Sequence, residues 1–143
     1  MKTADTTDVD VLGPKIQGYI HLPLGLLGFE RIKEYLWIET AEELPFRWLQ
    51  ARTDPTLTFL IVPAFEVLRE YAPEISDEDA AFLGLESSED ALIFGIVTLR
   101  PHGRATVNLK GPIILHRDTQ RGKQVVLTNA AQYPLQYPLP TAE

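Results

Sequence analysis

The apolar segments of this chain are short, and turn-forming residues separate them. The sequence of 143 residues contains 11 prolines and 9 glycines. Leu57–Pro63 and Ala91–Leu99 are nearly continuous apolar runs of strand length, and Asp54–Pro55 and Arg100–Gly103 are turn signals beside them. Runs of this length bounded by such residues are typical of buried β-strands. The sequence therefore predicts a mainly β fold.

The other strands are predicted from the same alternation of apolar runs and turns. In chain order, the predicted strands are Val9–Leu12, Ile16–Leu22, Tyr35–Glu39, Phe46–Ala51, Leu57–Pro63, Ala91–Leu99, Ala105–Leu109, Ile113–His116 and Gln124–Thr128. Gly13–Pro14 is expected to turn the first hairpin, and Gly111–Pro112 to separate two of the later strands. The prolines of Tyr133–Leu139 exclude a central strand, so we expect an extended edge segment there.

Helical signals are concentrated in the middle of the chain. Ser76 can cap a helix whose first turn, Asp77–Asp79, is acidic, as the helix dipole favours. Gly84 lies where a C-cap glycine is expected, and a second short turn is predicted at Phe65–Tyr71. We therefore expect a single domain with a partly open β-barrel-like or sandwich fold of about eight or nine strands and one or two short helices. Residues 1–8 are expected to be a flexible segment, and residues 9–143 the folded domain.

The charge of the chain is acidic overall and unevenly distributed. Thirteen basic and 20 acidic residues give a net charge of −7. This argues against a phosphate backbone as the main ligand, because such affinity comes from Lys and Arg. Residues 66–90 hold nine acids and one base, a net of −8, whereas residues 100–123 hold six bases and one acid, a net of +5. These are either ordinary solvated surfaces or the two sides of a polarised molecule whose acidic side docks a basic partner.

Residues that commonly carry catalysis or bind metals are scarce. There is no cysteine, and the three histidines, His21, His102 and His116, are far apart in sequence. This gives no metal-binding spacing, and no nucleophile motif or phosphate-binding glycine motif is present. We expect no catalytic residues, no cofactor and no metal. Because no apolar run reaches membrane-spanning length and the start has no signal-peptide core, we expect a cytoplasmic protein without membrane contact.

The aromatic residues Phe46 and Trp48 alternate on a predicted strand and allow two interpretations. They could form a stacking platform for bases, as in an OB-fold, or pack in the core. Arg47 and Arg52 offer little of the basic groove that base stacking needs, so core packing is favoured. An RNA-binding barrel that uses Arg100–Lys123, or a small-ligand barrel, remains an alternative function.

Five segments of the chain carry recognisable motifs in a fixed order. They are Leu22-Pro-Leu-Gly-Leu-Leu-Gly-Phe-Glu30, Pro45-Phe-Arg-Trp-Leu-Gln50 with Asp54-Pro-Thr-Leu-Thr-Phe59, Ile75-Ser-Asp-Glu-Asp79 with Leu83-Gly-Leu85, Val107-Asn-Leu-Lys-Gly-Pro-Ile113, and Gly122-Lys-Gln-Val-Val-Leu127. In order and spacing these segments resemble the motifs of the flagellar assembly factor FliW family. The resemblance covers roughly residues 16–139.

This resemblance implies a small β-barrel-like binding protein rather than an enzyme. Members of the family bind the carbon storage regulator CsrA, a small dimeric RNA-binding protein that represses flagellin translation. They bind it away from its RNA-binding surface, so the antagonism is allosteric. They also bind flagellin, which sequesters them until secretion frees them. We therefore expect this chain to bind CsrA and flagellin in the cytoplasm, to be a monomer when free, and to bind no nucleic acid directly.

Two groups of polar residues are candidates for the partner interface, one at a strand end and one in the acidic segment. They are Gln50, Arg52 and Asp54, and Glu66, Glu70 and Asp77. Other motif residues are expected to determine the fold. Pro23, Gly25, Gly28 and Pro112 are assigned to backbone shape, and Phe29, Phe59 and Leu109 to the core.

Overall fold

Residues 16–139 are described by the computed structural model, and their strands form one antiparallel sheet. The strands are β1 Tyr19–His21, β2 Glu34–Ile38, β3 Arg47–Ala51, β4 Thr58–Pro63, β5 Ala91–Leu99, β6 Ala105–His116, β7 Gly122–Gln124 and β8 Tyr137–Pro138. They follow one another in the sheet from β1 to β7, and β8 pairs with β6 on the edge opposite β5. The eight strands confirm the mainly β prediction.

The sheet curls until its two edges meet through Gln120, which confirms the partly open barrel. The Gln120 carbonyl accepts a hydrogen bond from the His21 N–H at 2.9 Å. Its side-chain amide donates to the carbonyls of Gln17 and Tyr19 at 3.0 and 2.8 Å. An isolated bridge between His21 and Arg121 and a hydrogen bond from the Leu27 N–H to the Gln124 side chain at 2.9 Å add to these contacts. Isolated contacts thus replace a continuous strand ladder between β1 and β7.

Strand β4 lies where the sheet is buried on both faces. Ile61 and Val62 are both fully buried although successive side chains of a strand point to opposite faces. Ile61 belongs to a core built mainly on β1–β4, whereas Val62 belongs to a second core that includes the helices and the C-terminal segment. The apolar run at Leu57–Pro63 is therefore explained by a strand with two buried faces.

Two short helices, α1 Ala64–Val67 and α2 Asp77–Leu83, cover the second face. The Ser76 hydroxyl accepts a hydrogen bond from the Asp79 N–H at 3.0 Å, and Gly84 ends α2 with a φ of 71°. Both predicted caps are confirmed. The turn predicted at Phe65–Tyr71 contains α1. Among the described residues, no helix has the length and apolar content needed to cross a membrane.

The predicted break at Gly111–Pro112 is a bulge inside β6 and not a turn between strands. Residues 109–112 lie between two paired stretches of β6, opposite the single residue Gly95 of β5. The Asn108 side-chain oxygen accepts hydrogen bonds from the N–H groups of Lys110 and Gly111 at 2.9 and 3.0 Å. This side chain satisfies donors that the ladder leaves free, so the strand continues to His116.

The strand predicted at Gln124–Thr128 begins earlier and ends at Gln124. Val125 and Leu127 are buried and Val126 is exposed, as in a strand with one buried face. The ladder nevertheless stops, because the facing part of β6 bulges and the Thr128 N–H donates to the Glu74 carbonyl instead. Val9–Leu12 and its hairpin lie outside the described residues, as do residues 1–8. In the tail, the two residues of β8 on the sheet edge confirm the edge segment predicted at Tyr133–Leu139.

Two core predictions need correction. In β3 the buried side chains are Arg47, Leu49 and Ala51, whereas Trp48 is half-buried. Phe46, just before β3, is half-buried and packs against the second core, as predicted. Arg47 is accommodated because its Nε donates to Glu39 at 3.2 Å.

Phe29 is 38% exposed and lies edge-on against the half-buried Phe59, at a ring distance of 5.1 Å. Leu109 is fully buried, as predicted.

Replacement of Gly25 by alanine is expected to destabilise the fold more than replacement of Gly28. Both glycines have positive φ, 69° and 89°, which costs any other residue about 1–3 kcal/mol. A Cβ at Gly25 would lie 2.6 Å from the Glu30 Cα, whereas a Cβ at Gly28 would meet no atom within 4 Å. Overpacking should add roughly 1–3 kcal/mol to the loss for Gly25→Ala. Urea titrations of both variants measure the difference, and equal losses would contradict this account.

Candidate partner-binding site

An apolar groove lies on the second face of the sheet, between α1, α2 and the start of β5. Its volume is about 480 Å³. Apolar side chains form most of its lining, namely Phe65, Tyr71, Pro73, Ile75, Leu85 and Ile93. Phe65 is 49% exposed at its edge. An exposed aromatic ring beside an apolar groove is a typical feature of surfaces that bind proteins.

Tyr71 fixes the wall of this groove. Its hydroxyl donates a hydrogen bond of 2.7 Å to the carbonyl of Leu109 in β6, and its ring lies edge-on against Tyr133 at 4.7 Å. Burial raises the pKa of the Tyr71 hydroxyl, and the neighbouring Tyr133 adds to the effect. The neutral, donating hydroxyl is therefore the form present at physiological pH.

Asn129 holds the next part of the wall, residues 72–74. Its side-chain oxygen accepts a hydrogen bond from the Glu74 N–H at 3.0 Å, and its side-chain nitrogen donates to the Ala72 carbonyl at 2.9 Å. The Tyr133 hydroxyl accepts the Ala72 N–H at 2.9 Å. A segment without regular secondary structure is thereby fixed by the C-terminal part of the chain.

The charged residues next to the groove lining in sequence are mostly acidic, although the exposed Arg69 is among them. Glu86 lines the groove, and no basic residue does. Glu66 and Glu70 are exposed on α1 and just after it, and Asp77 is exposed in the first turn of α2. None of these takes part in an ion pair within residues 16–139. We name this region, formed by the groove together with Glu66, Glu70, Asp77 and Glu86, the acidic groove.

Other acids of the same segment stabilise the fold. Asp79 is buried and pairs with Lys123 of β7, which also lies over the ring of Phe82. The Asp90 carboxylate accepts the N–H groups of Glu86 and Ser87 at 2.8 and 3.1 Å. Within residues 66–90, Asp79 and Asp90 thus stabilise the fold by ion pairing and turn capping. Glu66, Glu70 and Asp77 face solvent near the groove instead.

The other predicted residues, Gln50, Arg52 and Asp54, lie at the opposite end of β4. Thr58 begins this strand and Pro63 ends it, so the two groups are separated by roughly 17 Å along the strand. Gln50 donates to the Pro55 carbonyl, and Asp54 accepts from the Thr56 N–H and hydroxyl. The structure therefore does not join the six predicted residues into one surface.

Arg52, in the same turn, pairs with Glu34 at 2.5 Å. This hydrogen bond and the Glu34 charge raise the pKa of the guanidinium. Gln50, Arg52 and Asp54 thus each bond to residues within or beside the turn between β3 and β4. Their contribution to partner binding stays a prediction.

The basic stretch Arg100–Lys123 is also divided by the fold. Arg100 and Arg104 lie at the β5–β6 turn, whereas Arg121 and Lys123 lie at the far end of β6 against Phe82. Lys110 donates to the Ala130 carbonyl at 2.9 Å. The continuous basic surface that the RNA-binding alternative needs is therefore not formed by these residues.

Sequence spacing did not reveal that Asp90, His116 and Asp118 meet. Atoms of the kind that bind metals, one from each residue, lie within 4.8 Å of one another. The His116 Nδ1 accepts the Asp118 N–H at 3.1 Å, and the Asp90 carboxylate caps the preceding turn. The Nδ1 lone pair that a metal would need is therefore occupied by this hydrogen bond. The cluster is explained as bonding between two turns.

The described residues thus define a small, partly open antiparallel barrel with an apolar groove on its second face. The comparisons with known proteins agree with this fold class. The family model described as FliW protein matches residues 1–139. The flagellar assembly factor FliW of Leptospira biflexa is 43% identical over 110 residues, which cover 75% of this chain and 71% of the relative. That of Natranaerobius thermophilus is 38% identical over 122 residues, with 84% and 80% covered.

The fold agrees with a solved structure of the same family. A crystal structure of the flagellar assembly factor FliW superposes with a TM-score of 0.74 at 25% identity, covering 90% of this chain and 92% of the other. The chain belongs to the FliW family of flagellar assembly factors, as its motifs predicted.

Asn129→Ala is expected to destabilise the protein by about 1–3 kcal/mol, because it leaves the Glu74 N–H and the Ala72 carbonyl without a partner. Urea unfolding of the variant and the natural chain measures the loss. Unchanged stability of Asn129→Ala would contradict the assignment.

The contribution of Asp90 to the free energy of unfolding is expected to depend on pH. Backbone N–H groups of Glu86 and Ser87 lower its pKa from 3.8, with smaller help from His116 and Arg117. Because the pKa of Asp90 is lower in the folded state than in the unfolded state, its full contribution to the free energy of unfolding is present above the unfolded-state pKa. That contribution is lost as the pH falls through the folded-state pKa. The stability difference between the natural chain and Asp90→Asn should therefore shrink as the pH falls below about 4. Urea titrations from neutral pH to pH 3 measure it, and a constant difference would contradict the cap.

Proposed function

We propose that this chain binds the translational regulator CsrA through the acidic groove and antagonises it allosterically. Binding relieves the repression of flagellin translation. In the same proposal, the chain also binds flagellin in the cytoplasm, and flagellin sequesters it until secretion lowers the flagellin level. The protein acts as a binding partner in this scheme and not as an enzyme.

The observation that carries the proposal is the combination of an apolar groove with an unpaired acidic rim. RNA-binding proteins carry basic surfaces, and opposite potentials speed and orient association. The exposed ring of Phe65 and the groove behind it offer an apolar centre, while Glu66, Glu70 and Asp77 offer a charged periphery. This arrangement follows the general anatomy of protein interfaces, in which an apolar core is surrounded by a polar rim.

The double variant Glu66→Lys with Glu70→Lys is expected to bind CsrA more slowly. Both side chains are exposed, so the fold should be retained. Because rim charges act mainly on encounter, the association rate constant should fall by about tenfold at low salt, and the difference should shrink as salt is added. Stopped-flow fluorescence with purified CsrA at several salt concentrations measures both effects.

The matched control is Glu42→Lys with Glu43→Lys. These acids lie on the short turn Ala41–Glu43 and do not line the groove, yet the change in net charge is the same. The control should bind CsrA faster than the groove variant does. Unchanged association of the folded groove variant at low salt, or an equal loss in the control, would contradict binding at the acidic groove.

A further inference from the structure

A second cleft lies at the turn between β5 and β6, where β8 joins the edge of the sheet. Its volume is about 400 Å³. The turn contributes Arg100, Pro101, His102 and Arg104, and the C-terminal segment contributes Gln136 and Leu139 among others. We name it the cationic cleft. It is about 20 Å from the acidic groove along β5, since Ile93 lines one and Arg100 the other.

The charge of this cleft is not neutralised from within. Two arginines and a histidine line it, and no acidic residue does. Neither arginine takes part in an ion pair among residues 16–139. A smaller pocket near β2 shows the contrast, because it also holds Arg31, Lys33 and Arg52 but includes Glu34, which pairs with Arg52. Within residues 16–139, the positive charge of the cleft thus has no counter-charge in its lining, although the net charge of the chain is −7.

Arg100 carries a donor without an acceptor. Its Nε is buried and has no hydrogen-bond partner in the described part of the chain. Leaving such a donor unpaired costs about 1–3 kcal/mol, more for a charged group. The Nε atoms of Arg117 and Arg121 are also buried and unpaired among the described residues. The buried Nε of Arg100 is closed to a ligand, so a ligand oxygen in the cleft would meet the outer N–H groups of the guanidinium.

The turn that holds these cations is itself constrained. His102 has a φ of 65°, a left-handed conformation that residues other than glycine rarely adopt. The Arg100 N–H donates to the Arg104 carbonyl at 2.7 Å, which closes the turn. Backbone strain of this kind persists where the surrounding structure fixes it, and here it holds the basic residues of the turn close together.

An exposed apolar side chain stands immediately before each of the two segments that line the cleft. Leu99, next to Arg100, is 67% exposed, and Leu135, next to Gln136, is 56% exposed. A small inorganic anion makes no favourable contact with these apolar side chains, whereas a peptide can bury them. Charge complementarity and exposed apolar area together indicate an acidic protein segment rather than a free ion.

We propose that the cationic cleft is a second partner-binding site, which takes an acidic peptide segment carrying an apolar side chain beside its carboxylates. A carboxylate accepts hydrogen bonds from Arg100 and Arg104, and the apolar side chain packs against Leu99 or Leu135. This site goes beyond the proposed function of the acidic groove and does not depend on it.

The test uses the full chain, labelled with ¹⁵N, and a short fluorescent peptide of interspersed glutamates and leucines. The peptide should shift the amide signals of Ala105, Thr106 and Gln136. Arg104→Glu should weaken its binding roughly fivefold to tenfold in fluorescence anisotropy, because an exposed attraction becomes a repulsion. Leu135→Ser should weaken it as well. A peptide of lysines and leucines should leave the three amides unshifted.

Matched controls separate this site from the rest of the surface. Lys33→Glu reverses an exposed cation in the pocket near β2, and Glu66→Lys with Glu70→Lys alters the acidic groove. Both should bind the glutamate–leucine peptide as the natural chain does.

Several outcomes would overturn the proposal. One is unchanged peptide affinity in folded Arg104→Glu. Another is equal binding of a peptide of glutamates and serines, or equal shifts with inorganic phosphate, which would indicate a plain anion site. Preference for a single-stranded RNA with the same dependence on Arg104 would identify a nucleic-acid site instead.

Discussion

Burial of both faces of the central strands is the constraint on which the rest of this structure depends. Ile61 and Val62 point to opposite sides of β4, and each is buried in a different core. A curled sheet covers only its inner face, so α1, α2 and the C-terminal segment must cover the other. The elements that cover it are short and irregular, and side chains such as Tyr71 and Asn129 hold them in place. The acidic groove lies where that covering is incomplete.

The fold gives the molecule two ends of opposite charge. Strand β5 runs from the acidic groove at Ile93 to the cationic cleft at Arg100, about 20 Å apart. Hydrogen bonds and ion pairs account for Asp79 and Asp90 at the first end, and the acids around the groove are left unpaired. Surfaces this far apart do not compete for one ligand by overlap.

Features encoded in neighbouring residues were predictable from the sequence, whereas features made by distant residues were not. The helix caps at Ser76 and Gly84 are local chemistry, and both predictions were correct. The bulge in β6 was predicted as a break, because spacing alone does not show that Asn108 bonds Lys110 and Gly111. Phe29 was assigned to the core because an aromatic motif residue has no sequence signal for its 38% exposure. The six candidate site residues lie at two opposite ends of β4. Their separation could not be predicted, because it depends on the path of the sheet in space. The groove and the cationic cleft are likewise visible only in three dimensions.

The central claim is that this FliW-family chain binds CsrA and thereby releases the RNA that CsrA holds. The most direct measurement is a calorimetric titration of the purified chain with CsrA from the same organism, repeated with CsrA bound to flagellin leader RNA and with flagellin as a second titrant. The account predicts sub-micromolar binding to CsrA, roughly −8 kcal/mol or stronger, together with loss of the leader RNA. Binding to flagellin alone would contradict the link to translation, and binding to neither partner would contradict the proposed function altogether.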